Sequence, residues 1–224
     1  MISAIVNTRV GCNIGGTFIN ILAYADDMVI LAPSWYGLQF LLDILGKAAA
    51  DISMSFNTKK TVCMVFTPKS KNKVISSTFP ALSLAGSHLS FVDQLKYLGH
   101  IIDSKLCDIN DMKREIKCLF TRTNILLRRF KNCSTKVKIT LFKSHCMCFY
   151  GIALWSNYTA SMLDRIVSCF IKCLKMFFGY PKFSSVTNMF MELQLPTFHT
   201  VLYNYKIGFS WQCKNSNNRL VGLF

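Results

Sequence analysis

Two adjacent carboxylates, Asp26 and Asp27, lie between two largely apolar runs, residues 19–23 and 28–32. Such runs predict buried strands, and the acidic pair between them predicts the turn of a β-hairpin. Neighbouring charges in an apolar setting repel each other and lose hydration, so they require a counter-charge. The sequence around the pair contains no Lys or Arg. A bound divalent cation is therefore favoured, because Mg²⁺ and Mn²⁺ prefer carboxylate oxygens.

An Asp pair alone is also common in surface turns and helix caps. The longer pattern Tyr24-Ala25-Asp26-Asp27, with an apolar strand on either side, is more specific. It resembles the catalytic hairpin of reverse transcriptases, aromatic-X-Asp-Asp, and its Tyr-Ala-Asp-Asp form resembles that of non-LTR (LINE-like) retrotransposons. The resemblance implies that Asp26 and Asp27 are catalytic and bind Mg²⁺ or Mn²⁺, with Asp26 the firmer ligand. It also implies that Tyr24 packs near the primer terminus.

The charge of the chain is strongly positive and unevenly distributed. The net charge is +15, yet residues 1–58 hold two basic and four acidic residues, which leaves +17 for residues 59–224. Such a field favours a polyanionic partner through phosphate neutralisation and counterion release. A solvated basic face, or attraction to an anionic membrane, is the alternative.

Ten cysteines occur without a Cys-x-x-Cys pair, and Cys169 and Cys173 have the spacing of one helix face. They are expected to pack as small apolar residues, and reduced thiols fit a nuclear or cytosolic protein. The N-terminus lacks the pattern of a signal peptide, so secretion is not expected. Residues 144–163 carry no formal charge, but their apolar core, residues 146–155, is too short to cross a bilayer. A buried helix is predicted there.

Several local elements follow from turn and cap signals. Residues 11–18 predict a tight turn between short strands. Ser34 is expected to cap a helix that extends to about Ser53 and packs across the back of the sheet. Residues 69–77 form a basic, polar connector, and a second hairpin is predicted at residues 81–91, around Gly86-Ser87.

Residues 57–61, Asn-Thr-Lys-Lys-Thr, predict a polar turn before a buried strand that extends to Phe66. The two lysines could simply be solvated. In the family that the chain resembles, however, an Asn-x-x-Lys-Thr turn lies near the incoming nucleotide. The resemblance implies a nucleotide contact at Asn57 and, at Lys60, a candidate proton donor to the departing pyrophosphate. A cation near developing negative charge stabilises it in either case.

Residues 94–103 are expected to form a strand, and the Lys-Tyr-Leu-Gly segment within it resembles the primer-holding strand of the family. Tyr97, Leu98 and Gly99 are therefore second-rank primer contacts, since a Tyr on a strand is more often part of a core.

Helical periodicity begins at Asp108. One helix is predicted from Asp108 or Asn110 to Phe130, a second from Ser134 that leads into the apolar stretch ending at Trp155, and a third over residues 161–178. One or two more are expected near the C-terminus. Apolar side chains expected to face inward in the first helix are Ile116, Leu119, Phe120, Ile125 and Leu126. Basic side chains expected to face outward and to contact a nucleic-acid backbone are Lys113, Arg114, Lys117, Arg122, Arg128, Arg129, Lys136 and Lys138.

The predicted fold class is α+β, with a partial polymerase palm at residues 1–103 and a helical, thumb-like region at residues 104–224. The resemblance implies part of an RNA-directed DNA polymerase that uses an RNA template, a DNA primer and deoxynucleoside triphosphates. In that family a third metal carboxylate lies on an earlier strand, and no Asp or Glu precedes Asp26 here. The chain is therefore expected to be inactive alone. Two alternatives are a non-catalytic nucleic-acid-binding module using helices 108–143 and a membrane-associated helical protein.

Overall fold

The computed structural model describes residues 2–68, 76, 78–218 and 220–223. Within them are seven α-helices and ten short strands, which pair in five two-stranded sheets. Four of these pairs are antiparallel and one is parallel. The mixture of helices and small sheets is compatible with the predicted α+β class. Nearly all of the predicted basic connector, residues 69–77, lies outside the described residues.

The chain forms two compact units, of which the first extends to Asp93 and the second spans Gln94–Gly222. The predicted end of the palm at residue 103 stays a prediction. The helices and strands of the first unit are α1 (Ile2–Val6), β1 (Cys12–Ile14), β2 (Thr17–Ile19), β3 (Ile21–Tyr24), β4 (Asp27–Ile30), α2 (Trp35–Ala50), β5 (Val62–Cys63), β6 (Ser83–Leu84), β7 (Ser87–His88) and β8 (Ser90–Phe91).

Tight turns join the neighbouring strands of the first unit. Strands β1 and β2 pair across Gly15 and Gly16, which have φ angles of 56° and 83°, and this confirms the turn predicted at residues 11–18. Strands β6 and β7 pair across Ala85 and Gly86, also at positive φ, one residue earlier than predicted. Two-residue hairpin turns with positive φ match the twist of the flanking strands, which selects this position.

Helix α2 supplies more residues of the first unit's core than any other element. Ser34 caps it, since the Ser34 side chain accepts a hydrogen bond from the Gly37 amide, as predicted. The buried side chains of α2 belong to one cluster with residues of α1 and of the β6 region: Ile5, Leu41, Leu42, Leu45, Leu82 and Leu84. Ile21 and Ile30 pack against that cluster, so α2 supports the base of the β3–β4 hairpin.

The structure corrects two predictions of buried strands in the first unit, one in its burial and the other in its length. Leu22 and Tyr24 on β3 are exposed, Tyr24 to 65%, because β3 and β4 pair only with each other within the described residues. When a single layer packs against a two-stranded hairpin, it covers one face and leaves the other face exposed to solvent. The strand predicted to extend to Phe66 ends at Cys63, since its parallel partner β8 has only two residues.

The second unit consists of one hairpin followed by helices. Its elements are β9 (Gln94–Tyr97), β10 (His100–Asp103), α3 (Ile109–Phe130), α4 (Thr135–Cys146), a 3₁₀ turn (Ile152–Leu154), α5 (Ala160–Phe178), α6 (Val186–Leu193) and α7 (Phe198–Lys214), and a further 3₁₀ turn (Val221–Leu223) ends the described chain. The helix predicted at residues 161–178 is confirmed as α5, which ends at Gly179 in the left-handed conformation. Two helices, α6 and α7, follow where one or two were expected.

Helices α3, α4 and α5 enclose an aromatic core in the second unit. Phe142, Phe170 and Phe177 are fully buried. The ring centroid of Phe142 lies 5.8 Å from that of Phe170 and 6.2 Å from that of Phe177. Cys169 and Cys173 are buried in the same cluster, which confirms their predicted packing role.

The structure corrects three details of the helical prediction. Ile125 is 49% exposed rather than inward. Asp108 precedes α3, but its carboxylate accepts hydrogen bonds from the amides of Ser156 and Asn157 instead of capping the helix. The helix that begins after Ser134 stops at Cys146, so no helix covers residues 147–155 apart from the 3₁₀ turn. The chain bends there because Gly151 takes a φ of 71°.

In the part of the chain that the structure describes, no helix is both long and apolar enough to span a membrane.

Candidate functional site

The acidic pair lies at the tip of the β3–β4 hairpin. Tyr24 and Asp27 are paired across the turn, and Ala25 and Asp26 form its two central positions. Ala25 has a φ of 52°, a left-handed conformation that is unfavourable for a residue with a Cβ atom. The side chains of Tyr24, Asp26 and Asp27 are all exposed. The predicted hairpin is therefore confirmed, and it presents both carboxylates to solvent.

A buried amide fixes the base of the hairpin. Asn20 is 4% exposed, and its Nδ2 donates to the carbonyl oxygens of Ile5 at 2.8 Å and Val10 at 2.9 Å. The Asn20 carbonyl accepts from the Leu31 amide at 2.8 Å, which extends the pairing of the two strands below the tip. A Cβ atom on Gly11 would lie 2.8 Å from the Asn20 Cβ, so the chain passes Asn20 too closely for a side chain there.

The turn at residues 57–61 is held by Asn57. Its side-chain Oδ1 accepts from the Lys60 amide at 3.2 Å, and its carbonyl accepts from the Lys60 and Thr61 amides at 3.0 Å. The Thr61 hydroxyl also donates to the Asn57 carbonyl, at 3.0 Å. The backbone of Lys60 is thereby fixed while its side chain stays exposed. The predicted polar turn is confirmed.

Leu98 and Gly99 lie in a turn and not on a strand, which corrects the prediction of one strand over residues 94–103. Their φ angles are 44° and 85°, and Tyr97 pairs with His100 on either side of them. Tyr150 covers this turn, because its hydroxyl donates to the Leu98 carbonyl at 2.9 Å. The Tyr150 ring also stacks on the His100 ring, with a centroid distance of 4.8 Å.

A buried carboxylate joins the β9–β10 hairpin to helix α3. Asp111 is 3% exposed and accepts from the Ile101 amide at 3.0 Å, Arg114 Nε at 2.7 Å and Trp155 Nε1 at 2.9 Å. Its Oδ2 is 3.2 Å from His100 Nδ1. Burial alone would raise the pKa of Asp111, but these hydrogen bonds, that of Arg114 foremost, outweigh it and lower the pKa to about 2.

A second buried carboxylate, Glu115, is 1% exposed and pairs with Arg114 Nη1 at 3.0 Å and with Arg122. Arg114 and Arg122 are therefore half-buried ion-pair partners, and the prediction that they face outward is wrong. The reason is charge neutralisation, since a buried carboxylate without a cation is costly. A phosphate would have to compete with these carboxylates for both guanidinium groups.

The other basic residues are more accessible. Lys113, Lys117 and Arg128 are exposed and, at 100° per residue, share one face of α3 within about 60°. Arg129 is exposed on another side of that helix, and Lys136 is exposed on α4. Lys138 is half-buried, and its Nζ lies 5.8 Å from the centroid of the Phe177 ring.

Comparison with known proteins identifies related chains. No protein-family model matches the sequence. The chain is similar to the RNA-directed DNA polymerase from mobile element jockey of Drosophila funebris, with 26% identity over 189 residues that cover 79% of this chain and 20% of the relative. The protein of the same name from Drosophila melanogaster is 25% identical over 196 residues, which cover 82% of this chain and 21% of that relative.

The chain is related to the reverse transcriptases of non-LTR retrotransposons. This relationship confirms the resemblance that Tyr24-Ala25-Asp26-Asp27 indicated. The chain spans about one-fifth of the length of these curated relatives.

The donors at the hairpin tip fit part of a divalent metal site. Mg²⁺ is commonly bound through one or two carboxylates together with waters and substrate phosphates. Asp26 and Asp27 supply two exposed carboxylates of this kind. Among the described residues, no group of three or more His, Cys, Asp or Glu side chains could hold a metal. Further ligands would therefore have to come from other molecules or segments.

Sequence reasoning missed Asn20 and the pair Asp111 and Glu115. Asn20 carried a signal, because it is the one amide inside an apolar run. Asp111 and Glu115 lie at i,i+4 spacing on either side of Arg114, in a segment otherwise rich in Lys and Arg. This pattern fits a solvent-exposed helix face as well as a buried ion-pair cluster. Only their burial at 3% and 1% separates the two interpretations.

Proposed function

We propose that this chain is part of an RNA-directed DNA polymerase and contributes its metal-binding hairpin and its duplex-binding helices. The observation that carries the proposal is that Tyr24-Ala25-Asp26-Asp27 folds as a two-stranded hairpin with both carboxylates exposed at its tip. The names of the related proteins support the reaction class. The substrates would be a DNA primer, an RNA template and deoxynucleoside triphosphates.

In this proposal Asp26 and Asp27 hold divalent cations, with Asp26 the principal ligand. When bound, two Mg²⁺ or Mn²⁺ ions would activate the primer 3′-hydroxyl and stabilise the leaving pyrophosphate. The Asn57 turn fixes the backbone of Lys60 so that its cationic side chain can stabilise negative charge on that phosphate. Tyr24, 65% exposed beside the acidic pair, offers a ring surface to the primer terminus.

The second unit would bind the RNA–DNA hybrid through the phosphate backbone of the nucleic acid. It contains 19 Lys and Arg against 6 Asp and Glu, a net charge of +13. Lys113, Lys117 and Arg128 form one exposed row on α3, to which Arg129 and Lys136 add further charge. An A-form-like duplex is recognised mainly through phosphates and shape, so a row of cations suffices. Tyr97 and the Leu98–Gly99 turn are proposed as primer contacts.

Primer extension on a primed RNA template, with Mg²⁺ and then Mn²⁺, tests the catalytic part. Because the chain supplies only two carboxylates to the metal site, we expect the isolated chain to bind the hybrid without extending the primer. Extension by the wild type that is lost in Asp26→Ala would show that the chain completes the site by itself, and would refute the expectation of inactivity. Extension that survives Asp26→Ala would refute the assignment of the hairpin.

Hybrid binding measured against salt concentration tests the duplex-binding part. The double variant Lys113→Ala/Lys117→Ala removes two cations of the α3 row, and Lys182→Ala/Lys214→Ala removes two exposed cations elsewhere in the unit. Loss of two phosphate contacts should reduce the slope of log K against log salt by about 2. The control pair should change it little. Equal effects of both pairs would indicate general basicity and contradict the assigned row.

A second candidate function is a non-catalytic nucleic-acid-binding module. The observation that favours it is the concentration of positive charge in the second unit, whose residues do not include the acidic hairpin. Hybrid binding that depends on the α3 row and is unaffected by Asp26→Ala, by divalent metal and by added nucleotide would support this alternative.

A further inference from the structure

Helix α7 has a core-facing stripe that leaves the core half-way along. Phe198, Val201 and Leu202 are buried in its first turns. At the same helical spacing the stripe continues with Tyr205 and Phe209, which are 39% and 41% exposed. The second half of the stripe therefore borders open space where the first half faces packed side chains, although the Tyr205 hydroxyl donates to the Met147 carbonyl at 3.3 Å.

That space is a cavity of about 530 Å³ within the second unit. The residues that line it include three aromatic ones and two that carry a side-chain amide: Tyr150, Tyr205, Phe209, Asn204 and Gln212. Small-molecule sites commonly have volumes of about 300–1,000 Å³ and combine apolar walls with a few polar groups. Among the described residues, none forms a hydrogen bond with the side-chain amide of Asn204 or Gln212.

Gly208 lies in the middle of the stripe and lines the cavity. A glycine inside a helix costs about 1 kcal/mol relative to alanine. Packing does not require a glycine here, because a Cβ atom at Gly208 would meet nothing within 4 Å. Gly151 lines the same cavity, and there packing does require a glycine, since a Cβ atom would lie 1.7 Å from His100 Cε1. A longer side chain at Gly208 would therefore extend into the cavity.

We propose that this cavity binds an unpaired nucleobase of a nucleic-acid strand held by the second unit. A nucleobase is a flat ring that can stack on Tyr205 or Phe209, with a polar edge that can pair with the amides of Asn204 and Gln212. The strand that carries the base is a polyanion, and the unit around the cavity has a net charge of +13. An apolar peptide would use the rings but would gain little from the amides or the charge. The inference rests on the proposed function in that the same unit binds nucleic acid.

The test compares single-stranded oligonucleotides of about ten nucleotides with abasic oligomers of equal length and charge, by fluorescence anisotropy. Gly208→Leu places a bulky side chain in the cavity and favours the helix, and Ser210→Leu adds the same side chain two residues away, on the opposite side of α7. Phe209→Ala and Trp211→Ala form a second matched pair, because Trp211 is 66% exposed and does not line the cavity. Thermal unfolding of each variant shows that it is folded.

We expect the wild type to bind the base-bearing strand about tenfold more tightly than the abasic strand, from one base-stacking contact. Gly208→Leu and Phe209→Ala should remove that difference, while Ser210→Leu and Trp211→Ala keep it. Equal binding of the two strands by the wild type would overturn the inference, and so would a difference that survives Gly208→Leu and Phe209→Ala.

The apolar dye ANS provides the test against a protein partner. Dye binding that Gly208→Leu abolishes but that the base-bearing strand does not displace would identify a site for an apolar peptide and overturn the proposal. Duplex binding through the α3 row is a separate measurement, so either proposal can fail while the other stands.

Discussion

Replacement of Asp111 by Asn should destabilise the second unit by about 2–3 kcal/mol. Removing one partner of a buried ion pair costs about 3–5 kcal/mol. The expected cost lies at or below the lower end of that range, because Arg114 keeps Glu115 at 3.0 Å and the Asn side chain retains one acceptor oxygen. The lowered pKa agrees in magnitude: a fall from 3.8 to about 2 corresponds to about 2 kcal/mol in favour of the ionised form.

Chemical denaturation followed by far-ultraviolet circular dichroism measures this loss, since most of the described helices belong to the second unit. Asp164→Asn is the matched control, an exposed carboxylate on α5 whose replacement should cost less than about 0.5 kcal/mol. Because the folded-state pKa of Asp111 is lowered, its contribution is present above pH 4 and is lost as the pH falls towards 2. The difference between wild type and Asp111→Asn should shrink over that range. Equal stability of Asp111→Asn and Asp164→Asn at pH 7 would refute this reasoning.

Three further predictions concern single positions. Asn20→Ala should cost about 1–3 kcal/mol in denaturation experiments, because it leaves the carbonyls of Ile5 and Val10 without the Asn20 donor, whereas the exposed Asn132→Ala should be nearly neutral. Gly151→Ala should destabilise strongly through its contact with His100, and a wild-type melting temperature would contradict the close approach. Gly208→Ala should raise stability by up to about 1 kcal/mol, and a loss of stability would show that the space around Gly208 is not open.

The parts of the fold that sequence reasoning predicted are those with local signals. Asp26 and Asp27 interrupt two apolar runs, and Gly15-Gly16 interrupts two strands, so both hairpins were predictable from turn chemistry. Ser34 and Gly179 likewise mark the ends of helices through the hydrogen bonds that they make or the φ that they allow.

The parts that it missed depend on contacts between distant residues. The Leu98–Gly99 turn could not be predicted from the local sequence, because Leu98 adopts a positive φ, which a leucine rarely does. The turn is also stabilised by Tyr150, which lies 52 positions further along the chain. The bend after Cys146 likewise brings Trp155 to Asp111, 44 positions away. The exposure of β3 depends on which layers cover it, and the alternation of its own residues does not encode that.

Metal binding at the hairpin tests the central claim most directly. The measurement is electron paramagnetic resonance of Mn²⁺ added to the chain with an RNA–DNA hybrid and a deoxynucleoside triphosphate. It compares the wild type with Asp26→Asn and with Asp51→Asn, an exposed carboxylate at the end of α2. We expect bound Mn²⁺ in the wild type and in Asp51→Asn, and its loss in Asp26→Asn. Equal Mn²⁺ binding by all three proteins would contradict the assignment of Asp26 as a metal ligand.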